Sequence, residues 1–135
     1  MHILVDTCIW SHALRRQDGH NPHARELRDI ISDNRACIIG SIRQEILSGV
    51  RLTQHFKSLR DHLSAFPDLL VNTSDYEFAA EFSNLLRGKG IQGSAIDFLI
   101  CAVAHRYSLL IYTLDDDFKH FSKHLPIKLY TATRL

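Results

Sequence analysis

Four carboxylates stand at positions where this chain could do chemistry. Asp6 directly follows the apolar run His2–Val5, and Asp115 comes just after Leu109–Thr113. Glu45 falls in the first turns of the helical stretch that succeeds Ala36–Ile39. Asp97 differs in kind: its neighbours are Ile96, Phe98, Leu99, Ile100, Cys101, Ala102, Val103 and Ala104, with no second charge until Arg106. A helix apolar all round is a buried one, and an ionised carboxylate there is costly unless it is paired or coordinates a metal. No basic residue lies within a turn of Asp97, so a divalent cation is its natural partner. Each acid also has a local reading. Asp6 and Asp115 suit helix N-caps, Asp97 suits a capping box with Ser94, and Glu45 suits the positive end of a helix dipole. Four acids on one rim with few cations beside them repel one another, however, and a bound cation removes that repulsion. Carboxylates are hard donors that favour Mg²⁺ or Mn²⁺ over Zn²⁺. One or two such ions would activate a water and act as Lewis acids toward a substrate oxygen.

The elements that must position these acids are legible in the periodicity. His2–Val5, Ala36–Ile39, Leu69–Val71, Leu109–Thr113 and Ile127–Tyr130 are five strand candidates. Between them, Asn21-Pro22 reads as an N-cap with Pro at the first helical position, leading to Leu27, Ile30 and Ile31. Leu52, Phe56, Leu59 and Leu63 recur at helical spacing, as do Phe78, Phe82, Leu85 and Leu86. Ser41-x-x-Gln44, Ser74-x-x-Glu77 and Ser94-x-x-Asp97 read as capping boxes. Alternating strands and helices imply one α/β domain spanning residues 1–135, a three-layer α/β/α sandwich around a mostly parallel sheet of about five strands. Ligands bind beyond the carboxyl ends of such strands, which is where Asp6, Glu45 and Asp115 emerge.

Composition excludes several classes. The chain has 135 residues, 45% hydrophobic and 23% charged, which is ordinary globular composition. Its 16 basic and 15 acidic residues give a net charge of +1, so any affinity for nucleic acid must arise locally. The three cysteines are far apart and form no C-x-x-C pair, which fits a reduced cytoplasmic protein. No apolar run approaches the ~20 residues of a membrane span, and the start, running straight into Asp6, argues against a signal peptide.

Read in order, the segments Ile3-Leu4-Val5-Asp6-Thr7-Cys8-Ile9-Trp10, Arg43-Gln44-Glu45-Ile46-Leu47-x-Gly49, Asp97-Phe98-Leu99-Ile100-Cys101-Ala102-x-Ala104 and Thr113-Leu114-Asp115-Asp116-Asp117-Phe118 resemble the ordered motifs of PIN domains. The resemblance is greatest to the small toxin ribonucleases of the VapC type from prokaryotic toxin–antitoxin pairs, and it covers essentially the whole chain. It implies Mg²⁺- or Mn²⁺-dependent endoribonuclease activity on structured RNA such as tRNA or ribosomal RNA. It also implies a cognate antitoxin and a homodimer. Cys8 is a departure, because such proteins usually carry Asn or Ser after the Asp-Thr pair.

On this reading Asp6, Asp97 and Asp115 are metal ligands, and Glu45 is a ligand or a water-positioning group. Asp117 is an auxiliary ligand or a helix-start acid. Thr7 bonds a ligand carboxylate or caps the first helix. Arg15, Arg16, Arg43 and Lys119 are candidate phosphate contacts. An antitoxin would place an Arg or Lys beside the acids and lay an amphipathic helix on apolar residues drawn from Ile9, Trp10, Leu14, Leu47 and Val50, although Trp10 also suits a core position. The alternative is a PIN-like module that binds RNA or protein without cutting, and retention of all four acids favours the enzyme.

Rival motifs fare worse. Gly88-Lys89-Gly90-Ile91-Gln92-Gly93 satisfies G-x-G-x-x-G, but a dinucleotide loop must follow a strand, and residues 75–87 read as a helix that Gly88 stops. His20-x-x-His23 and His120-x-x-x-His124 lack cysteines at zinc-site spacing. No G-x-S-x-G elbow or P-loop is present.

Overall fold

The first strand, β1 (Ile3–Val5), is wholly buried. Three apolar residues without alternation are what a strand covered on both faces requires. The computed structural model describes residues 1–14 and 21–133. After β1 come α1 (Thr7–Leu14), α2 (Pro22–Ser32), β2 (Ala36–Cys37), α3 (Gly40–Leu47), α4 (Thr53–Leu63) and α5 (Thr73–Arg87). The chain continues through α6 (Ala95–Tyr107), β3 (Leu110–Tyr112), α7 (Asp117–Phe121) and β4 (Lys128–Leu129).

The strands pair in the order β2-β1-β3-β4, and every pairing is parallel. The sheet has four strands rather than the expected five. Leu69–Val71 contributes only the bridge beside it, Ile38 to Asp68. Pro67 brings no N–H to a ladder, and the Leu70 carbonyl accepts instead from Arg106 Nη2 (2.7 Å) and the Tyr107 hydroxyl (2.8 Å).

The connection from β1 leads to one side of the sheet, while those into and out of β3 run to the other. Right-handed crossovers therefore place α1 and α2 on one face, with α6 and α7 on the opposite face. Phe98 of α6 and Phe121 of α7 accordingly stack with ring centroids 5.2 Å apart. The expected layers are present, and a crevice opens between the carboxyl ends of β1 and β3.

The local signals fare unevenly. Asn21 caps α2 through His23 and Ala24, with Pro22 following as expected. Ser94 and Asp97 form the expected capping box on α6. The box on α5 is Asn72 with Asp75, not Ser74 with Glu77, because the helix begins at Thr73. No side chain caps α3, whose N-cap is Ile39; Ser41 lies inside the helix with its buried hydroxyl unpartnered among the described residues. Residues Phe98 to Ala104 of α6 are all buried, so Asp97 does enter an apolar helix.

α6 is held in place from its far end. Asp75, fully buried at the start of α5, accepts from Arg106 Nε at 2.7 Å and Nη2 at 2.8 Å. The Arg106 hydrogen bonds hold the Asp75 carboxyl below its ordinary value of 3.8. That stabilisation is complete above pH 3.8 and is lost as pH falls through the lower folded value. Replacing Asp75 with Ala removes its half of the capping box, the bond from the Asn72 amide, and the ion-pair partner of Arg106. The expected loss is about 3 kcal/mol at neutral pH, read from urea denaturation, and the deficit relative to wild type should shrink in acid.

Candidate active site

Asp6 is where the central strand becomes a helix. Its amide extends the β1–β3 ladder to the Tyr112 carbonyl (2.9 Å), and its carbonyl starts α1 by accepting from Ile9 (3.1 Å) and Trp10 (3.3 Å). The side chain, 9% exposed, therefore has little freedom. Its Oδ1 accepts from the Thr7 amide at 2.8 Å and its Oδ2 from the Thr113 hydroxyl at 2.7 Å. Burial raises the Asp6 pKa, the bonds from Thr113 and Thr7 oppose that rise, and the charges of Glu45 and Asp115 add to it.

The other acids arrive from separate elements. Glu45, exposed on α3, is tied to the crevice by the Thr7 hydroxyl, which donates to its Oε1 at 2.7 Å. Asp97 sits in the first turn of α6, its Oδ2 accepting from the Ser94 amide at 3.1 Å while Ser94 Oγ accepts from its own amide. Burial raises its pKa; the Ser94 bonds lower it, and Asp115 and Asp6 raise it further. Asp115 is exposed after β3, its amide donating to Thr113 Oγ1 (3.0 Å) and its Oδ1 accepting from the Asp117 amide (2.9 Å). The expected four acids thus share one electrostatic neighbourhood. The local readings hold as well: Asp97 and Asp115 each use one oxygen on a helix start.

This arrangement suits a hard cation chemically. The carboxylates come from four segments, repel one another, and form no ion pair with Lys, Arg or His among the described residues. Asp97, Asp115 and Glu45 each commit one oxygen to a protein donor, leaving the second for another ligand. Among the described residues no three His, Cys, Asp or Glu side chains are gathered into a ready-made cage. Uncompensated carboxylates have no reason to converge further. Asp117 is exposed at the start of α7, and its amide orients Asp115.

The candidate phosphate contacts divide. Arg43 does not offer a free fork: it donates through Nε to Asp68 (3.0 Å) and also to the carbonyls of Leu63 (2.9 Å) and Phe66, bracing α3 against the segment after α4. Lys119 is exposed on α7, its ammonium 3.0 Å from Asp116. Arg15 and Arg16 lie outside the described residues, as does His20. His23 Nδ1 instead pairs with the Tyr112 hydroxyl at 2.7 Å. Trp10 is core, its Nε1 donating to the Val5 carbonyl at 3.0 Å, and Ile9 is buried with it. Gly88 caps α5 as expected.

One contributor, Thr113, escapes the sequence reading, and a second, Cys8, is marked there only as a departure. Thr113 both donates to Asp6 and accepts from Asp115, so one hydroxyl couples two acids; its signal was a hydroxyl residue at a strand end two positions before Asp115. Cys8 replaces the usual amide or hydroxyl with a thiol lying 3.8 Å from Asp6 Oδ2, and its sulfur accepts from the Leu114 amide at 3.4 Å. Cys101, buried one turn beyond Asp97, has its thiol pushed up by burial and by the charges of Asp97 and Asp6.

Comparison with known proteins places this geometry. The chain is similar in structure to FitAcB from Neisseria gonorrhoeae, with 17% identity, a TM-score of 0.78, and 98% of this chain and 99% of that one covered. It is similar to VapBC2 from Rickettsia felis, a structure bound to a DNA fragment from their promoter, with 19% identity, a TM-score of 0.78, and 96% and 98% covered. A toxin–antitoxin complex from Klebsiella pneumoniae has 21% identity and a TM-score of 0.65, with 98% and 99% covered. At these identities the likeness is one of fold. Comparison with curated proteins returned no match. The family model of the PIN domain matches residues 3–124. That match begins with β1, ends beyond α7 and takes in every acid of the crevice; the chain belongs to the PIN-domain family.

Proposed function

We propose that this protein is an endoribonuclease dependent on Mg²⁺ or Mn²⁺, and that it acts in the cytoplasm as the toxin of a toxin–antitoxin pair. The observation that carries the nuclease reading is the meeting of Asp6, Glu45, Asp97 and Asp115 at the β1–β3 crevice, in a chain of the PIN family. Asp6, Asp97 and Asp115 would hold the ion, with Asp117 beside them. When bound, the ion supplies Lewis acidity toward a phosphodiester and a water of lowered pKa. Thr7 fixes one oxygen of Glu45, leaving Oε2 to orient a water and take its proton. Thr113 and the Thr7 amide hold Asp6 in one rotamer, so no reorganisation is needed when substrate arrives.

The solved toxin–antitoxin relatives support an antitoxin partner. An Arg or Lys of that partner would neutralise the crevice. Its amphipathic helix would find mixed ground in a groove of about 570 Å³, where Leu14, Val50, Leu52 and Leu59 supply apolar contacts and Arg51, His55, Ser58 and His62 polar ones. Leu47 is partly buried nearby in sequence, while Ile9 and Trp10, being core, are unavailable. A homodimer belongs to the same reading. Among the described residues no helix is long and apolar enough to cross a membrane. Expressing the chain with and without its neighbouring open reading frame tests the toxin role. Growth arrest relieved by a copurifying small protein is expected, and normal growth under strong expression alone would refute it.

Metal should stabilise the fold. At a concentration a hundredfold above Kd, Mg²⁺ or Mn²⁺ should raise Tm by roughly 5–10 °C in calorimetry, and no shift at millimolar metal would argue against the site. Asp97→Asn should cut RNA at least about a hundredfold more slowly than wild type. Because burial favours the neutral form of Asp97, the same variant should keep or raise the metal-free Tm at neutral pH. Cleavage at the wild-type rate would remove Asp97 from the mechanism and favour a non-catalytic binding module. Thr113→Val removes the hydroxyl between Asp6 and Asp115 and should weaken metal affinity about tenfold, measured by titration calorimetry, with the fold retained.

A further inference from the structure

The acidic crevice poses an electrostatic problem for the substrate just assigned to it. A phosphodiester strand is repelled by four carboxylates, so it must be held by cations and base contacts beside them. Next to the Asp97 rim lies a polar cleft of about 270 Å³ formed by Ser83, Arg87, Ile91, Gln92, Gly93 and Phe98. That is below the ~300–1,000 Å³ of whole small-molecule sites, and suits a single ring system.

Its place is fixed by covalent neighbours: Gly93 and Phe98 flank Ser94 and Asp97, whose mutual bonds of 3.1 Å form the first turn of α6. The far wall is fixed by packing. A Cβ on Gly93 would lie 2.6 Å from Phe121 Cζ, so α7, which carries Lys119, is pressed against the cleft. Arg87 and Lys89 flank it from the end of α5 and the following turn. Among the described residues the Gln92 amide makes no protein hydrogen bond, while Arg87 has only a long contact of 3.5 Å to Ser83 Oγ besides the solvent.

We propose that this cleft is a base-binding subsite for single-stranded RNA, receiving the base of a nucleotide next to the scissile phosphate. The inference rests on the nuclease reading above. Unstacked bases are recognised by stacking on Arg or aromatic planes and by bonds to their edges. The Gln92 side chain offers the paired donor and acceptor that a base edge needs. Arg87 offers the guanidinium plane on which a base can stack; Phe98 also lines the cleft but is buried, its ring packed against Phe121. The G-x-G-x-x-G loop, useless to a dinucleotide in this position, thus presents Gln92 at the rim.

The test is to titrate the full-length protein with AMP, CMP, GMP and UMP separately, following amide resonances of residues 91–98 and the Gln92 side chain by NMR. Saturable shifts there are expected, with one base preferred. Gln92→Ala should raise its Kd about tenfold and flatten the preference, and Arg87→Ala should weaken all four about tenfold. Lys128→Ala, which removes the same charge at the opposite end of the sheet, should leave binding unchanged. No saturable shift by about 10 mM, or unaltered binding in both cleft variants, would overturn the subsite. Cleavage of RNA without nucleotide shifts in the loop would leave the nuclease standing and refute the subsite alone. Saturable binding without RNA cleavage would do the reverse.

Discussion

The parallel pairing of β1 with β3 is the constraint on which the molecule depends. Val5 lies opposite Tyr112, and the ladder runs one step further, from the Asp6 amide to the Tyr112 carbonyl. Both strands end there, their chains depart to opposite faces, and the gap between them cannot be filled by either connection. Asp6 and Thr113 face each other across it because the register leaves them no alternative. A slip in that pairing would separate the two acids that the Thr113 hydroxyl joins.

The crevice stores electrostatic strain that the rest of the fold contains. Burial and mutual repulsion both raise Asp6 and Asp97 above ordinary carboxylates, so ionised acids oppose folding in the absence of a cation. The supports lie at a distance from the acids. Arg106 grips Asp75 and the Leu70 carbonyl at the far end of α6, and Arg43 braces α3 from beneath Glu45. Both cations neutralise structural carboxylates. Other cations lie on the flanks: Lys119 on α7, 3.0 Å from Asp116, and Arg87 at the end of α5.

Thr7, Thr113 and Cys8 show how short polar side chains divide the work around a buried acid. The threonine hydroxyls direct specific oxygens of Glu45 and Asp6. The Cys8 thiol, a weaker donor, contacts the same Asp6 oxygen and holds the Leu114 amide, linking α1 to the turn that carries Asp115.

What the sequence determined by itself is whatever depends on local pattern. The apolar runs located the strands, the unbroken apolar surface of residues 98–104 announced a buried α6, and the acids after strand ends pointed to the carboxyl rim. Segment Leu69–Val71 was misread because its composition suits a strand, whereas its carbonyl is claimed by Arg106 and Tyr107, distant partners no local pattern contains. The capping boxes proposed at Ser41 and Ser74 failed for a related reason: helix starts there follow the packing of α3 and α5, and Ser or Thr with a following acid or amide is too common a pattern to fix them. Arg43 looked like a free cation until the fold brought Asp68 and two carbonyls to it. Only tertiary structure decided that Thr113 bridges two acids, that Gly93 must be bare for Phe121 to pack, and that Trp10 is core. Each of these depends on contacts between residues far apart in the chain or on a buried volume, and neither is set until the β1–β3 pairing and the layers around it have formed.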